Sequence, residues 1–125
     1  MPDKKLQIRN STAEFLVFSA QANENTIEVM VEDETVWLTQ KMIAALLETT
    51  KQNIGQHLKR IFEDGELHEN AVVKNFFTTA SDGKQYDTSF YNLDAIISIG
   101  YRVNSLRATQ FRQWATTHLR EYLVK

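Results

Sequence analysis

The apolar positions follow a strand period in the first part of the chain. In TIEVMVED (26–33) apolar and polar side chains alternate, as they do in a strand with one buried face. EFLVFSA (14–20) and ETVWLT (34–39) are rich in β-branched and aromatic residues, which favours two more strands. We therefore expect a small N-terminal β-sheet, preceded by a flexible N-terminus over residues 1–13.

From residue 40 the apolar spacing becomes that of a helix. In QKMIAALLE (40–48), Ile43, Leu46 and Leu47 fall at i, i+3 and i+4, so they share one face. Thr39 stands directly before this segment, and threonine is preferred at helix N-caps. The pattern predicts a helix over 40–48 that begins after Thr39.

A second helical segment follows after a very short connection. In KQNIGQHLKRIF (51–62), apolar residues recur at i, i+4, i+7 and i+8 and form one stripe. The preceding Thr49 and Thr50 predict a cap, and Thr49 has capping-box spacing to Gln52. Two helices joined by about three residues are the arrangement of a helix-turn-helix.

The remainder of the chain predicts a hairpin and two helices. EDGELHEN (63–70) is expected to be a loop, and Asp82-Gly83 predicts a two-residue hairpin turn between strands over 71–80 and 85–91. Asn92 is expected to cap a helix that runs to about Tyr101.

A last helix is expected to start at Asn104 or Ser105 and to continue to the end of the chain. Its apolar stripe comprises Phe111, Trp114, Ala115, His118 and Tyr122. Because nothing ends this helix before Lys125, we expect the chain to be the N-terminal part of a longer protein. The predicted fold is α+β: a small N-terminal β-sheet, a winged helix-turn-helix over 39–91 and two C-terminal helices, in a single domain over 14–125.

The outward face of the second predicted helix suggests a nucleic-acid partner. Residues 51–62 contain no acid. Asn and Gln bind adenine through two hydrogen bonds, and Lys and Arg bind guanine or phosphate. A helix that enters the major groove with its first turns towards the bases needs these residue types. We expect base contacts from Lys51, Gln52, Asn53 and Gln56. The residues expected at DNA phosphates are Thr39, Gln40, Thr50, Lys59, Arg60, Lys74 and Lys84.

Charge and composition allow this interpretation without requiring it. The net charge is −2, but residues 1–50 carry 4 basic against 8 acidic residues, whereas residues 51–125 carry 10 against 8. The chain has no cysteine, no signal-peptide pattern and no apolar run that could span a membrane, so we expect a cytoplasmic protein.

No motif in the chain points to catalysis. His57, His68 and His118 lack metal-ligand spacing, and neither a P-loop nor a nucleophile elbow occurs. We therefore expect no enzyme activity, no metal and no cofactor.

A second polar stretch, GYRVNSLRATQFRQW (100–114), is open to two interpretations. Its Arg102, Asn104, Arg107 and Arg112 would either cap helices on a basic face or form a second patch for phosphate or a partner.

Two resemblances support the same view. Residues 37–62 resemble the common bacterial helix-turn-helix pattern, with Ala44 at the small position of the first helix and Ile54 and Leu58 turned inward. That pattern usually has glycine where this chain has Glu48, because glycine suits a positive φ. Glu48 therefore implies slight strain or a different turn.

The second resemblance covers roughly residues 14–125. WLTQ, HLKRIFEDGEL, SDGKQYDTSFYNLDAIISIGYRVNS and ATQFRQWATTHLREYL look like the RhuM family of bacterial virulence-associated proteins. The segment FRQWA (111–115) also resembles the end of Bro-N and KilA-N domains, which are DNA-binding modules of phages and large DNA viruses. The resemblance implies a DNA-binding N-terminal domain within a longer protein.

The function expected from all this is sequence-preferring binding of double-stranded DNA, in a regulatory role and as a homodimer. The alternative is a protein-interaction module that docks a repressor, a toxin or another partner. It would use the winged-helix surface or the basic stretch 102–112.

Overall fold

The computed structural model describes residues 15–16, 18–19 and 29–118. These residues form an α+β fold with one antiparallel sheet. The elements are β1 (Met30–Glu32), β2 (Thr35–Thr39), α1 (Gln40–Leu46), α2 (Lys51–Glu63), α3 (Glu69–Val72), β3 (Val73–Thr79), β4 (Gln85–Asn92), α4 (Leu93–Gly100) and α5 (Leu106–His118).

The N-terminal strands and the hairpin form one sheet, in the order β1-β2-β4-β3. The pairing of β2 with β4, which places Trp37 opposite Asn92, joins two units that the sequence analysis left separate. The corner between β1 and β2 consists of two acids, Asp33 and Glu34, both with positive φ. Such a two-residue turn fits the right-handed twist of a hairpin.

The strand predicted over 14–20 is wrong. Phe15, Leu16, Phe18 and Ser19 are helical, and both phenylalanines are buried. Residues three apart share a helix face, whereas they would point to opposite faces of a strand. Packing against the aromatic residues of α5 therefore overrides the β-propensity of this segment. The ring centroids of Phe18 and Phe111 are 5.5 Å apart.

The other N-terminal predictions have mixed outcomes. The strand over 34–39 is confirmed as β2, but the strand over 26–33 is confirmed only for Met30–Glu32. Val29 lies outside it, and residues 26–28 lie outside the described residues. The expectation for residues 1–13 also lies outside them.

Helix α1 is capped at both ends by local hydrogen bonds. At its start the Thr39 hydroxyl accepts a hydrogen bond from the backbone N–H of Met42 at 3.1 Å, as predicted. At its end the Thr49 N–H donates to the Ala44 carbonyl at 2.9 Å, while Glu48 adopts a φ of 54°. This is the Schellman motif, a helix C-terminus in which the residue with the left-handed conformation is usually glycine. The positive φ of Glu48 therefore agrees with the slight strain that was expected at this position.

The N-cap of α2 is Thr50, whose hydroxyl accepts a hydrogen bond from the Asn53 N–H at 3.0 Å. The capping box predicted between Thr49 and Gln52 is wrong. The backbone of Thr49 already belongs to the end of α1, and its hydroxyl instead donates to Asn53 Oδ1 at 3.2 Å. The predicted apolar stripe of α2 is confirmed, since Ile54, Leu58 and Ile61 are buried.

The hairpin β3–β4 is confirmed, but its turn is longer than predicted. Ala80 and Lys84 still pair, with 2.9 Å between the Ala80 nitrogen and the Lys84 carbonyl oxygen. The connection is therefore Ser81–Gly83, three residues rather than two. Gly83 ends it with a φ of 83°, a left-handed conformation that glycine adopts without strain. The helix α3 lies partly within the predicted loop 63–70 and was not foreseen.

The two C-terminal helices are confirmed. Asn92 caps α4 through the Ala95 N–H at 3.2 Å, and Ser105 accepts from the Ala108 N–H at the start of α5. His118, which was expected in the apolar stripe of α5, is exposed. Residues 116–118 are all exposed, so the core that covers α5 ends one turn earlier. Tyr122 lies outside the described residues.

Replacing Glu48 with glycine should stabilise the fold relative to replacing it with alanine. Both variants remove the carboxylate, but only glycine lacks the Cβ that opposes a φ of 54°. We expect the glycine variant to exceed the alanine variant by about 1 kcal/mol in the free energy of unfolding. Urea unfolding followed by circular dichroism measures this difference. Equal stabilities would mean that the left-handed backbone does not strain the turn.

Candidate nucleic-acid interface

The outward face of α2 presents most of the predicted base contacts to solvent. Lys51, Gln52 and Gln56 are exposed, because the buried stripe of the helix holds the opposite side against the core. Asn53 is half-buried, and its side-chain oxygen accepts from the Thr49 hydroxyl. Three of the four residues are thus accessible, and Asn53 is partly committed to the turn.

The cations of this face form no ion pairs within the part of the chain that the structure describes. Lys51, Lys59 and Arg60 are exposed, and none forms an ion pair with another described residue. His57 lies half-buried beside them. Burial lowers its pKa, and the positive charges of Arg102 and Arg60 lower it further. His57 is therefore neutral at neutral pH, and the positive charge of this face comes from lysine and arginine.

The side chain of Gln40 fixes α2 against α1. Its Nε2 donates to the Lys51 carbonyl at 2.9 Å. It also lies over Gly55, where an added Cβ would come within 2.7 Å of the same nitrogen. Thr39 and Thr50 serve as the N-caps of the two helices. These three predicted phosphate contacts therefore also hold the helix pair together.

A groove of about 450 Å³ opens beside this helix pair. It lies where the start of α1 and the start of α2 meet β4. Its lining residues are Thr39, Gln40, Lys41, Lys51, Asp87, Thr88, Ser89 and Tyr91. Lys41 and the β4 residues of this lining were not predicted from the sequence. They are far apart in the chain, and only the pairing of β2 with β4 brings them together.

On the hairpin, the side chain of Lys74, a predicted phosphate contact, binds two acids of the protein itself. Its Nζ lies 2.8 Å from a Glu32 carboxylate oxygen and 2.9 Å from one of Asp33. The hydrogen bond to Glu32, followed by the one to Asp33, raises the pKa of Lys74. Two carboxylates therefore offset its charge and compete with any phosphate. Lys84 is exposed at the turn and forms no ion pair with another described residue.

The arginines of the stretch 102–112 act within the fold. Arg112 donates from Nη1 to the carbonyls of Gly100 at 3.0 Å and Val103 at 2.8 Å, which satisfies carbonyls at the end of α4. Arg107 lies over the ring of Phe18 and donates to its carbonyl at 3.2 Å. The observed contacts agree with the capping interpretation of this stretch.

The remaining two predicted residues of that patch differ. Asn104 is exposed. Arg102 bonds to Glu66 at 2.8 Å and lies 3.6 Å from Asp64, so its charge is balanced by acids of the loop after α2. The same Glu66 accepts a hydrogen bond from the Ser98 hydroxyl of α4. This cluster ties the loop to the core helix.

Residues 15–16, 18–19 and 29–118 contain neither a metal-binding cluster nor a membrane-spanning helix. No group of three or more histidine, aspartate or glutamate side chains in this part could hold a metal ion. No helix within it is long and apolar enough to cross a membrane.

The Glu66 contacts predict an acid-sensitive contribution to stability. The hydrogen bond from Arg102, and then that from Ser98, lowers the pKa of Glu66. A carboxylate with a lowered pKa stabilises the fold above its ordinary pKa, and this stabilisation disappears as pH falls through the lowered value. Glu66→Gln should therefore cost roughly 1 kcal/mol at neutral pH, given that the site is partly exposed.

The measurement is thermal unfolding of wild type and Glu66→Gln from neutral to acidic pH. The difference in Tm should narrow as pH drops below about 4. Glu63→Gln, which removes a nearby exposed acid that has no ion pair with Arg102, serves as the control. A difference that does not change with pH would contradict the proposed role of the Glu66 charge.

Similarity to known proteins is found in the second part of the chain. Residues 71–125 match the virulence protein RhuM family. No curated protein and no solved structure matches the chain. The likeness of residues 111–115 to Bro-N and KilA-N domains is not confirmed by these comparisons. The similarity to the virulence protein RhuM family is therefore limited to residues 71–125, which contain the hairpin β3–β4 and the helices α4 and α5.

Proposed function

We propose that this chain is a sequence-preferring, regulatory double-stranded DNA-binding domain. In this proposal α1 and α2 act as a helix-turn-helix, with α2 as the recognition helix in the major groove, and the hairpin β3–β4 is the wing. The observation that carries the proposal is the outward face of α2, where exposed amides and cations have no acidic partner among the described residues.

The residue types on this face fit base recognition. Gln52 and Gln56 are one helical turn apart and exposed, so both can reach base edges from the same side of α2. Glutamine can bind adenine through two hydrogen bonds in the major groove. Lys51 lies in the first turn beside them, where a recognition helix contacts bases.

The charges on the same helix fit backbone contacts. Lys59 and Arg60 are exposed in the second half of α2 and are unpaired among the described residues. Cations without internal partners can neutralise phosphates and release bound counterions. The arginines at 102, 107 and 112 are occupied within the fold, so α2 is favoured over the stretch 102–112 as the contact surface.

The connection between the helices supports the helix-turn-helix assignment. Only four residues, 47–50, separate α1 from α2, and the two caps and the Gln40 bridge fix their relative placement. Along the chain, the hairpin β3–β4 follows directly after α2 and α3. Single helix-turn-helix units commonly bind paired half-sites, so the proposed assembly on DNA is a homodimer.

One observation favours a second candidate function, docking of a protein partner on the hairpin. Phe77 is 75% exposed and Tyr86 is 47% exposed, and exposed aromatic residues are common at protein interfaces. The two functions differ in their response to salt, because binding through several phosphates weakens steeply as ionic strength rises.

Fluorescence anisotropy with a pool of labelled duplexes tests the proposal at several salt concentrations. Gln52→Ala/Gln56→Ala should reduce the preference among DNA sequences. The expected loss of discrimination is about 1–3 kcal/mol for each glutamine whose two hydrogen bonds to a base are removed. Lys59→Ala/Arg60→Ala should weaken binding to all duplexes alike and lower the salt slope by about 2. Gln113→Ala, at an exposed position of α5, should leave binding unchanged.

Three outcomes would argue against the proposal. These are no binding at low salt, binding that does not respond to salt, and an equal effect of Gln113→Ala and the α2 variants. Loss of binding to a protein partner in Phe77→Ser, without DNA binding by the wild type, would instead support the docking function.

A further inference from the structure

The groove beside α2 has the composition of an anion site. It is lined by residues of four elements, β2, α1, α2 and β4, which belong to different parts of the chain. Its volume of about 450 Å³ corresponds to roughly fifteen water molecules at about 30 Å³ each. A phosphodiester group with several bound waters therefore fits within it.

Two lysines give the groove its positive charge. Lys41 of α1 and Lys51 of α2 both line it, both are exposed, and neither forms an ion pair with another described residue. Asp87 of β4 is the one acid in the lining. It is exposed, and its carboxylate accepts from the Asn75 side-chain amide at 3.4 Å. The lining therefore carries two positive charges against one carboxylate.

Neutral donors complete the lining. The Thr39 oxygen accepts from the Met42 N–H, which leaves the hydroxyl proton of Thr39 available to donate. Burial, and then the charge of Glu69, raises the pKa of Tyr91. Its hydroxyl therefore remains protonated at neutral pH and can donate to an anion.

The walls of the groove are fixed before any ligand arrives. Gln40, itself part of the lining, donates to the Lys51 carbonyl at 2.9 Å and lies against Gly55. This bridge holds the start of α1 at a set distance from the start of α2. A site whose walls are already in place loses less conformational entropy on binding.

We propose that this groove holds a backbone phosphate of the bound DNA strand, between the recognition helix and the wing. The inference rests on the proposed DNA binding and adds a contact to it. A strand that passes from the first turn of α2 to β4 must cross the groove, because the groove lies between these two elements. Lys41 and Lys51 are the counter-ions of the phosphate, and Asp87 limits its affinity.

This assignment revises the role of Lys51 in the proposed function and in the sequence-based prediction: Lys51 contacts a phosphate, and Gln52 and Gln56 remain the base contacts. It also predicts opposite effects for two single substitutions in one groove. Removing the charge of Lys41 weakens binding, whereas removing the charge of Asp87 strengthens it. Neither side chain is buried, so both substitutions should leave the fold intact.

The experiment measures anisotropy of duplex DNA with the full chain and with Lys41→Gln, Asp87→Asn and Asp94→Asn, over a series of salt concentrations. Lys41→Gln should lower the salt slope by about 1 and weaken all sequences alike. Asp87→Asn should tighten binding to all sequences about two- to fivefold, as expected for one screened charge. Asp94→Asn makes the same charge change on α4, outside the groove lining, and should have no such effect.

The outcomes separate this inference from the proposed function. If the wild type binds DNA but Lys41→Gln keeps the full salt slope and Asp87→Asn binds no tighter, the groove is not a phosphate site, although DNA binding stands. If Asp94→Asn tightens binding as much as Asp87→Asn, only the net charge matters, and the inference is overturned. If the wild type does not bind DNA at low salt, both the function and the groove assignment fail. Thermal unfolding of each variant confirms that its fold is retained.

Discussion

Every residue of α4 except Asp94 is buried, and the rest of the fold is arranged to cover that helix. A helix that is buried on nearly all sides must be surrounded by other elements. The elements α2, α5, β2 and β4 all pack against α4. The apolar stripe of α2 belongs to the same core as Leu93, Ile96 and Ile99. The amides and cations of α2 therefore face solvent because its other side is needed to bury α4.

The region that matches the family and the helix pair that precedes it are parts of one folded unit. The hydroxyl of Ser105, at the start of α5, donates to the carbonyl of Leu47 at 2.6 Å. Leu47 lies at the end of α1. Because this contact and the core shared by α2 and α4 join the two parts of the chain, a fragment limited to residues 71–125 would leave apolar surface uncovered.

The sequence predicts most of the helices and the hairpin because their patterns are local. The caps at Thr39 and Asn92 and the stripe of α2 require only neighbouring residues, and all are found as expected. The segment 14–20 is mispredicted because its β-propensity is overridden by contacts with α5, about ninety residues away. Long-range packing of this kind leaves no periodic signal within the segment itself.

The candidate site shows the same limit. The outward residues of α2 follow from helical periodicity, but the internal use of Lys74, Arg107 and Arg112 does not. Each binds a group that is distant in sequence or a carbonyl whose position depends on the fold, so composition alone made them look free. The groove likewise depends on the alignment of β2 with β4, which no local pattern specifies.

Helix α1 has seven residues, a length at which an isolated helix is unstable in water. Its existence therefore depends on docking against α2 and on the hydrogen bonds at its two ends. It follows that α1 cannot form without α2 and the turn that joins them. The pair behaves as one cooperative unit, whose backbone amides should exchange with solvent through a common opening event. Any partner that binds α2 thus stabilises α1 as well, even where it makes no contact with it.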